Sequence, residues 1–266
     1  ALINLLNSGD ARPTSTPPRP YERGVGSRPT LVDNVETLAQ LALIARYGPQ
    51  WFRGCGTRDS PGSTLITIGG SVVDPGVYET ALGTPVDHLL RGTAAGFTEP
   101  VAAILIGGYG GNWLRLSQAA PLPLAHAELR AAGAPLGIAA LHALPVAACG
   151  LAETARVLNY LAAESAAQCG PCMRGLPAIA ADFDLLVRGA ADGERVLARL
   201  RGRLGVITGR GACAHPDGAV RLAASALRTF GSDLRNHCQG RPCRAAARVI
   251  LPLPLWRDPH RARQVR

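Results

Sequence analysis

Alternating hydrophobic and polar positions dominate the first half of the chain, and helical periodicity dominates the second half. Residues 63–70 (STLITIGG) alternate with period two and predict a strand, and residues 77–83 predict another after a Pro-Gly turn. Residues 84–92 predict a short helix, and the apolar run 101–114 predicts a buried strand that enters a glycine loop. A return strand is predicted near 138–148. Two strands, a helix and a further strand form a β-grasp-like order.

From residue 151 onward, apolar residues recur every three to four positions. This spacing predicts amphipathic helices with one buried face. Four such segments follow one another, interrupted by Gly and Pro, and together they predict a four-helix bundle. They cover residues 151–167, 173–189, 191–204 and 217–238.

The N-terminal region differs from both halves. Residues 1–29 are polar and proline-rich, which predicts a linker or an extended segment. A helix is predicted after it, with Asp33 or Asn34 as its cap and Gly48 and Pro49 at its end.

The predicted fold class is α+β: a small β-grasp domain followed by a four-helix bundle, with an N-terminal extended segment and helix. The predicted boundaries are 1–59 for the N-terminal segment and helix, 60–150 for the β-grasp domain and 151–245 for the helical domain. Residues 246–266 are predicted to form a disordered basic tail.

Charge adds little to this organisation. The 266-residue chain contains no lysine, so all 28 basic residues are arginine, and its formal net charge is +9. Residues 241–266 hold seven arginines and one acid, Asp258, so the remaining chain is close to neutral. Aromatic residues make up only 5%. A phosphate-tracking surface with stacking aromatics is therefore not expected, and neither is nucleic-acid binding.

Cysteine use favours chemistry over a disulfide framework. No apolar run is long enough to span a bilayer and no signal peptide is evident, so a cytoplasmic protein without direct membrane insertion is expected. Seven cysteines in such a chain suggest metal or redox use.

Cys169 and Cys172 form a CGPC box that has several interpretations: a dithiol redox centre, part of a metal site, or two inert buried cysteines. A thioredoxin-type box follows a strand, whereas a predicted helix precedes this one, so that interpretation is disfavoured. Cys213 follows 41 positions after Cys172 in TGRGAC. Three such thiolates can converge on an iron–sulfur cluster, although the position of a further CxxC ligand holds Ala166.

Several segments together resemble a known family, the NADH-binding flavoprotein subunit of NADH:quinone oxidoreductase (respiratory complex I). Related subunits of NAD-linked hydrogenases and formate dehydrogenases share its pattern. The cysteine motifs of the family resemble ESAAQCGPCMRG (164–175) and CAHPDGAV (213–220). Its upstream motifs resemble residues 1–20 and 28–41, and its soluble-ligand-binding β-grasp (SLBB) module resembles residues 66–90 and 107–114. The resemblance reaches about residue 245 and keeps the family's order.

The resemblance implies that Cys169, Cys172 and Cys213 are ligands of a [4Fe–4S] cluster that accepts electrons from FMN. Ala166 stands where the family has a cysteine, and alanine has no donor atom. The three thiolates imply a [3Fe–4S] cluster, or a four-iron cluster whose fourth iron takes water, Ser165 or His215. A vestigial site without a cluster is equally compatible with the sequence.

The resemblance also implies flavin contacts from Asn34 and Thr37, which match the family, while Asp33 replaces an amide beside them. Helix capping is the alternative role of Asn34 and Thr37. The family's glycine-rich FMN and NADH loop has no counterpart in this sequence. FMN and NAD binding, and NADH dehydrogenase activity, are therefore expected only together with an upstream domain.

The sequence thus predicts an electron-transfer component of a multi-subunit complex. Its expected partners are other redox subunits, among them a thioredoxin-like [2Fe–2S] subunit, and its expected place is the cytoplasm or the inner face of the membrane through that complex. The alternative is a non-catalytic binding or scaffold module with degenerate redox sites.

A second metal site is not expected. His237, Cys238 and Cys243 lie close together in NHCQGRPC, but their spacing is not a standard zinc pattern. Cys149 and Cys55 also have no obvious partner in the sequence.

Overall fold

Five strands and eleven helices make up the computed structural model, which describes residues 1–14, 17–241 and 243–253. The strands are β1 (Ser63–Gly70), β2 (Gly76–Ala81), β3 (Val101–Ile106), β4 (Asn112–Arg115) and β5 (Ala140–Pro145). The helices of the first half are α1 (Leu2–Ser8), α2 (Val35–Tyr47), α3 (Pro49–Arg53), α4 (Val86–His88), α5 (Leu116–Ala119) and α6 (His126–Ala131). Those of the second half are α7 (Gly150–Ala163), α8 (Leu176–Val187), α9 (Gly193–Ile207), α10 (His215–Thr229) and α11 (Gly231–Cys238).

The strands form one mixed sheet in the order β2-β1-β5-β3-β4. β1 and β5 pair in parallel, with Ile68 opposite Leu141. On one side of this pair, β2 forms an antiparallel hairpin with β1. On the other side, β3 runs antiparallel to β5 and forms an antiparallel hairpin with β4. The predicted strand 63–70 is present, β3 begins the predicted run 101–114, and the return strand lies inside the predicted segment 138–148.

The sheet separates two hydrophobic cores. Alternate residues of β3 face opposite sides, as the period of a strand requires. Ile104 and Ile106 pack with the residues of α4 to α6 in one core. Ala103 and Leu105 pack with α7 to α11 in the other. Because β3 is buried on both faces, its sequence is apolar throughout and forms a continuous hydrophobic run.

The helical half packs through the second core. Phe183 of α8 and Leu200 of α9 are fully buried there. The buried Asp182 accepts hydrogen bonds from Arg199 and Arg203, which joins α8 to α9. Removing either arginine would leave a buried carboxylate with one partner fewer. The chain therefore ties these two helices together with charge as well as apolar area.

Several element predictions were wrong in detail. The predicted helix 217–238 is two helices, α10 and α11, which are separated at Phe230. The predicted run 101–114 contains a second strand, β4, after the glycine turn. The N-terminal segment contains α1, which buries none of its residues. The predicted helix after residue 34 is α2, which likewise buries no residue, with Leu41 52% exposed.

The chain stays in contact with the core beyond residue 245, the predicted end of the helical domain. The buried carboxylate of Glu153 accepts a hydrogen bond from the backbone N–H of Leu251 at 2.7 Å. Arg248 pairs with Glu99 at 2.5 Å. Arg248 and Leu251 thus contact the rest of the fold, and residues 254–266 of the predicted tail lie outside the described residues. None of the helices in residues 1–14, 17–241 and 243–253 combines the length and the apolar character that a bilayer crossing requires.

Candidate iron–sulfur site

The three predicted cysteine ligands line one cavity of about 270 Å³ between the ends of α7, α8 and α10. Cys172 is buried, Cys169 is half-buried and Cys213 is exposed. In the part of the chain that the structure describes, their sulfur atoms do not all lie within 4.8 Å of one another, so they surround a space rather than a single point. The other lining residues are Pro13, Thr14, Glu164, Ala166, Gln168, Ala212 and His215.

Local backbone features place these cysteines. α7 ends at Ala163, and Ala167 adopts a left-handed backbone with φ of 49°, an unusual conformation for a residue with a Cβ atom. Cys172 lies in a π-type turn, Pro171–Gly175, that leads into α8. Such turns widen the helical backbone and often occur at functional sites. Cys213 lies two residues before α10 and lines the same cavity from that second element.

The two cysteines of the box have different electrostatic environments. Backbone N–H groups of Ala212 and Cys172 donate hydrogen bonds to Cys169 and lower the pKa of its thiol. Burial raises the pKa of the Cys172 thiol to about 11, with further contributions from Cys169 and Cys213. Cys169 is therefore the more readily ionised thiol, and donors for a thiolate are already in place around it.

The fourth corner of the site carries no thiol. Ala166 lines the cavity, where it contributes only a methyl group. His215 also lines the cavity, and its Nε2 lies 2.8 Å from the carbonyl oxygen of Leu161. Since a carbonyl can only accept, this nitrogen carries the proton, which leaves Nδ1 with the free lone pair. Ser165 does not line the cavity, and its side chain acts to lower the pKa of the Cys172 thiol.

Known proteins resemble this chain over most of its length. The family model described as the NADH-ubiquinone oxidoreductase-F iron-sulfur binding region matches residues 152–237, which include all three cysteines. The F subunit of NADH-quinone oxidoreductase from Streptomyces coelicolor is 31% identical over 249 residues, which are 91% of this chain and 54% of that protein. The corresponding protein of Salmonella typhimurium is 33% identical over 235 residues, which are 86% of this chain and 52% of that protein.

The chain contains the iron–sulfur binding region of the NADH-quinone oxidoreductase F-subunit family.

A solved structure from the wider group agrees with the assignment. The crystal structure of an NAD+-reducing [NiFe]-hydrogenase in its air-oxidized state superimposes with a TM-score of 0.75 and 28% identity. The match covers 87% of this chain and 39% of the hydrogenase chain. The chain spans about half the length of the curated relatives that it matches.

Asn34 and Thr37, the flavin candidates that the resemblance implies, lie together at the start of α2. The side-chain oxygen of Asn34 accepts a hydrogen bond from the backbone N–H of Thr37 at 2.8 Å, so Asn34 caps the helix. Glu36 beside them accepts a hydrogen bond from the backbone N–H of Leu65 and so fastens α2 to β1. The capping role is thus observed, and contact with a flavin stays a prediction.

A second group of sulfur and nitrogen atoms lies outside the cluster cavity. Cys149, His237 and Cys243 bring one side-chain atom each to within 4.8 Å of one another. This corrects the expectation that Cys149 has no partner, while Cys238 is not part of the group. Sequence spacing does not reveal the group because its members come from the start of α7, the end of α11 and the segment after α11.

Proposed function

We propose that the chain is an electron-transfer component of an NADH-quinone oxidoreductase-type complex and that its cavity holds an iron–sulfur cluster. The observation that carries the proposal is the convergence of Cys169, Cys172 and Cys213 on one cavity within the segment matched by the iron–sulfur family model. Soft thiolates in a rigid, partly buried cavity are the donors that such clusters require. A bound cluster supplies one-electron acceptance and donation.

The chain's own residues would hold the cluster and adjust its environment. Backbone N–H groups of Ala212 and Cys172 lower the pKa of Cys169, and hydrogen bonds to ligating sulfur are one of the ways a protein tunes cluster potential. We propose His215 as the fourth ligand over Ser165, because His215 lines the cavity and Ser165 does not. The alternative that Ala166 raises is a three-iron cluster, which the three cysteines would hold without a fourth ligand.

The domain assignment belongs to the same proposal. We assign residues 60–150 to an SLBB-type β-grasp domain and residues 151–245 to a helical, cluster-binding domain of bundle type. The parallel strands β1 and β5 lie side by side in the sheet. β1 also belongs to the hairpin β1–β2, and the hairpin β3–β4 lies on the other side of β5. This arrangement supports the first assignment. The packing of α7 to α10 around one core supports the second.

The activity and partners of the whole assembly are also proposed. NADH oxidation through FMN would require a flavin- and nucleotide-binding domain in addition to the described residues. The partners would be redox subunits, among them a thioredoxin-like [2Fe–2S] subunit. Retention of three cysteines around one cavity favours this role over a scaffold module without cofactors.

Iron and acid-labile sulfide analysis of the anaerobically purified chain, with EPR spectroscopy, tests the proposal. We expect stoichiometric iron and sulfide in the wild-type chain and their loss in Cys169→Ala, Cys172→Ala and Cys213→Ala. Cys55→Ala is the matched control, because Cys55 is exposed and lies outside the cavity. Absence of iron after anaerobic reconstitution of the folded chain would overturn the cluster assignment. His215→Ala should change the EPR spectrum while iron is retained.

A further inference from the structure

Three side chains meet away from the cluster cavity, where α7, α8 and α11 come together. The Sγ atom of Cys149 lies 3.6 Å from Nε2 of His237, and the Sγ atom of Cys243 lies 3.4 Å from the same nitrogen. Cys149 and His237 are buried and Cys243 is half-buried. Cys149 is the N-cap of α7, and its sulfur accepts a hydrogen bond from the backbone N–H of Ala152 at 3.4 Å.

Backbone contacts fix the orientation of the imidazole. Nδ1 of His237 lies 3.1 Å from the carbonyl oxygen of Leu186 and 3.0 Å from that of Val187, at the end of α8. Carbonyl oxygens only accept, so Nδ1 carries the proton and Nε2 presents its lone pair to the two thiols. Metal-binding histidines are typically held in this way, with the remote N–H on a backbone carbonyl and the other nitrogen free for the metal.

Hydrogen bonding among the three groups is poorly balanced without a cation. Nε2 has one lone pair, and three donors surround it: the thiols of Cys149 and Cys243, and the backbone N–H of Cys243 at 3.5 Å. At most one of them can make a good hydrogen bond at a time. A cation between the two sulfur atoms and Nε2 would satisfy all three side chains together.

The observed spacing suits a small tetrahedral cation. Zn–S bonds of about 2.3 Å and Zn–N bonds of about 2.0–2.1 Å at tetrahedral angles place sulfur and nitrogen about 3.5–3.6 Å apart. The two sulfur-to-Nε2 distances here are 3.6 and 3.4 Å. Two thiolates and one neutral imidazole also match the preference of Zn²⁺ for sulfur and nitrogen ligands. Two thiolates would cancel the charge of the ion, which limits the cost of burying it.

We propose that Cys149, His237 and Cys243 bind one Zn²⁺ ion, with the fourth position open to water or another small ligand. The ion would join the start of α7 to the end of α11 and to the segment that follows α11. Cys149 and Cys243 are 94 positions apart in the sequence, so the link would close a long loop of the chain. Binding of the ion would stabilise the fold that assembles its ligands.

The test uses the full chain with Cys169, Cys172 and Cys213 all replaced by serine, so that the cluster thiols cannot bind the metal. After purification with a reductant and dialysis against metal-free buffer, we expect one zinc per chain by mass spectrometric metal analysis. Loss of a residue that only hydrogen-bonds to a metal ligand weakens metal affinity by roughly 10- to 100-fold. We expect a larger loss of zinc affinity in each of three ligand variants: Cys149→Ser, His237→Gln and Cys243→Ser. Cys238→Ser is the matched control, because Cys238 is buried next to His237 but lies outside the group.

Co²⁺ titration of the same background keeps the proposal testable if a ligand variant does not fold. Tetrahedral Co²⁺ bound by thiolates gives an intense sulfur-to-metal charge-transfer absorption, and we expect it to saturate at one equivalent and to disappear on addition of Zn²⁺. Absence of that absorption in the folded background would overturn the proposal. The proposal would also be overturned if Cys238→Ser lost as much zinc as the ligand variants do. A Cys149–Cys243 disulfide in chains alkylated at lysis would also overturn it, because oxidised sulfurs cannot bind the ion.

Discussion

At the scale of single residues, Ala166 decides what the cluster cavity can hold. It lines the same cavity as Cys169, Cys172 and Cys213, yet contributes only a methyl group. Its neighbour Ala167 has the unusual left-handed backbone, so the chain is bent at this point in a defined way. A donor atom added at position 166 would therefore enter a cavity that already presents thiols, whereas His215 offers a donor from another element.

Ala166→Cys is expected to supply a fourth thiolate and to strengthen cluster binding. We predict higher iron and sulfide content after reconstitution and a severalfold slower loss of visible absorption in air. Ala167→Cys is the matched control: it adds the same thiol one position away, on a residue that does not line the cavity. Both alanines already carry a Cβ atom, so neither change adds a new branch at the backbone. Equal stabilisation by both variants would contradict a specific fourth-ligand position.

At the scale of elements, the contact between the sheet and the helices depends on Trp113 of β4. Its indole N–H donates to the hydroxyl of Thr154 on α7 at 3.0 Å, and its ring packs edge-on against Phe230. Its backbone N–H donates to the hydroxyl of Ser225 on α10. Phe230 in turn lies over Gly150, where a Cβ atom would come within 2.2 Å of the ring.

Gly150→Ala is therefore predicted to destabilise the chain. An added methyl group must displace the buried Phe230 ring, and overpacking of this kind costs about 1–3 kcal/mol. Gly202→Ala on α9 is the matched control, since the space around Gly202 is open. There the substitution should raise stability by about 0.5–1 kcal/mol, because alanine favours a helix interior over glycine. Denaturant unfolding of both variants checks the opposite signs; a stable Gly150→Ala variant would show that the ring moves freely.

The same elements show where sequence reasoning succeeds. β1 matches its predicted residues 63–70 because a half-buried strand produces a period of two in the sequence. β4 is not predicted because its four residues are too short to show any period, and its place is set by pairing with β3. α10 and α11 are separated at Phe230, whose ring packs against Trp113, a residue distant in the sequence.

The candidate sites follow the same division. Cys169 and Cys172 share a short motif, and the family resemblance links Cys213 to them. Cys149 and His237 lie 88 positions apart, and only the packing of α7, α8 and α11 brings them together. Local spacing therefore reveals the pair Cys169 and Cys172, and it misses the partnership of Cys149 with His237 and Cys243.

At the scale of the whole molecule, the sheet lies between two cores. Polar groups buried in the sheet make the stability of the chain depend on pH. His142 on β5 is one of them: it is 8% exposed, its Nδ1 has no hydrogen-bond partner among the described residues, and its ring stacks on Tyr109. Burial lowers the pKa of His142 below its ordinary value of 6.5. The fold thus holds this imidazole in its neutral form.

The sign of the pH effect follows from that shift. Since the folded-state pKa lies below the unfolded-state value, the unfolded chain binds more protons as pH falls through about 6.5. The stabilisation is complete above that pH and is lost progressively below it. We predict that the urea midpoint falls between about pH 7.5 and about pH 5.5, and that His142→Gln reduces this fall. His126→Gln, on an exposed position of α6, should respond to pH as the wild-type chain does. An unchanged pH response in His142→Gln would assign the acid sensitivity to other groups, because glutamine cannot take up the proton that the unfolded histidine binds.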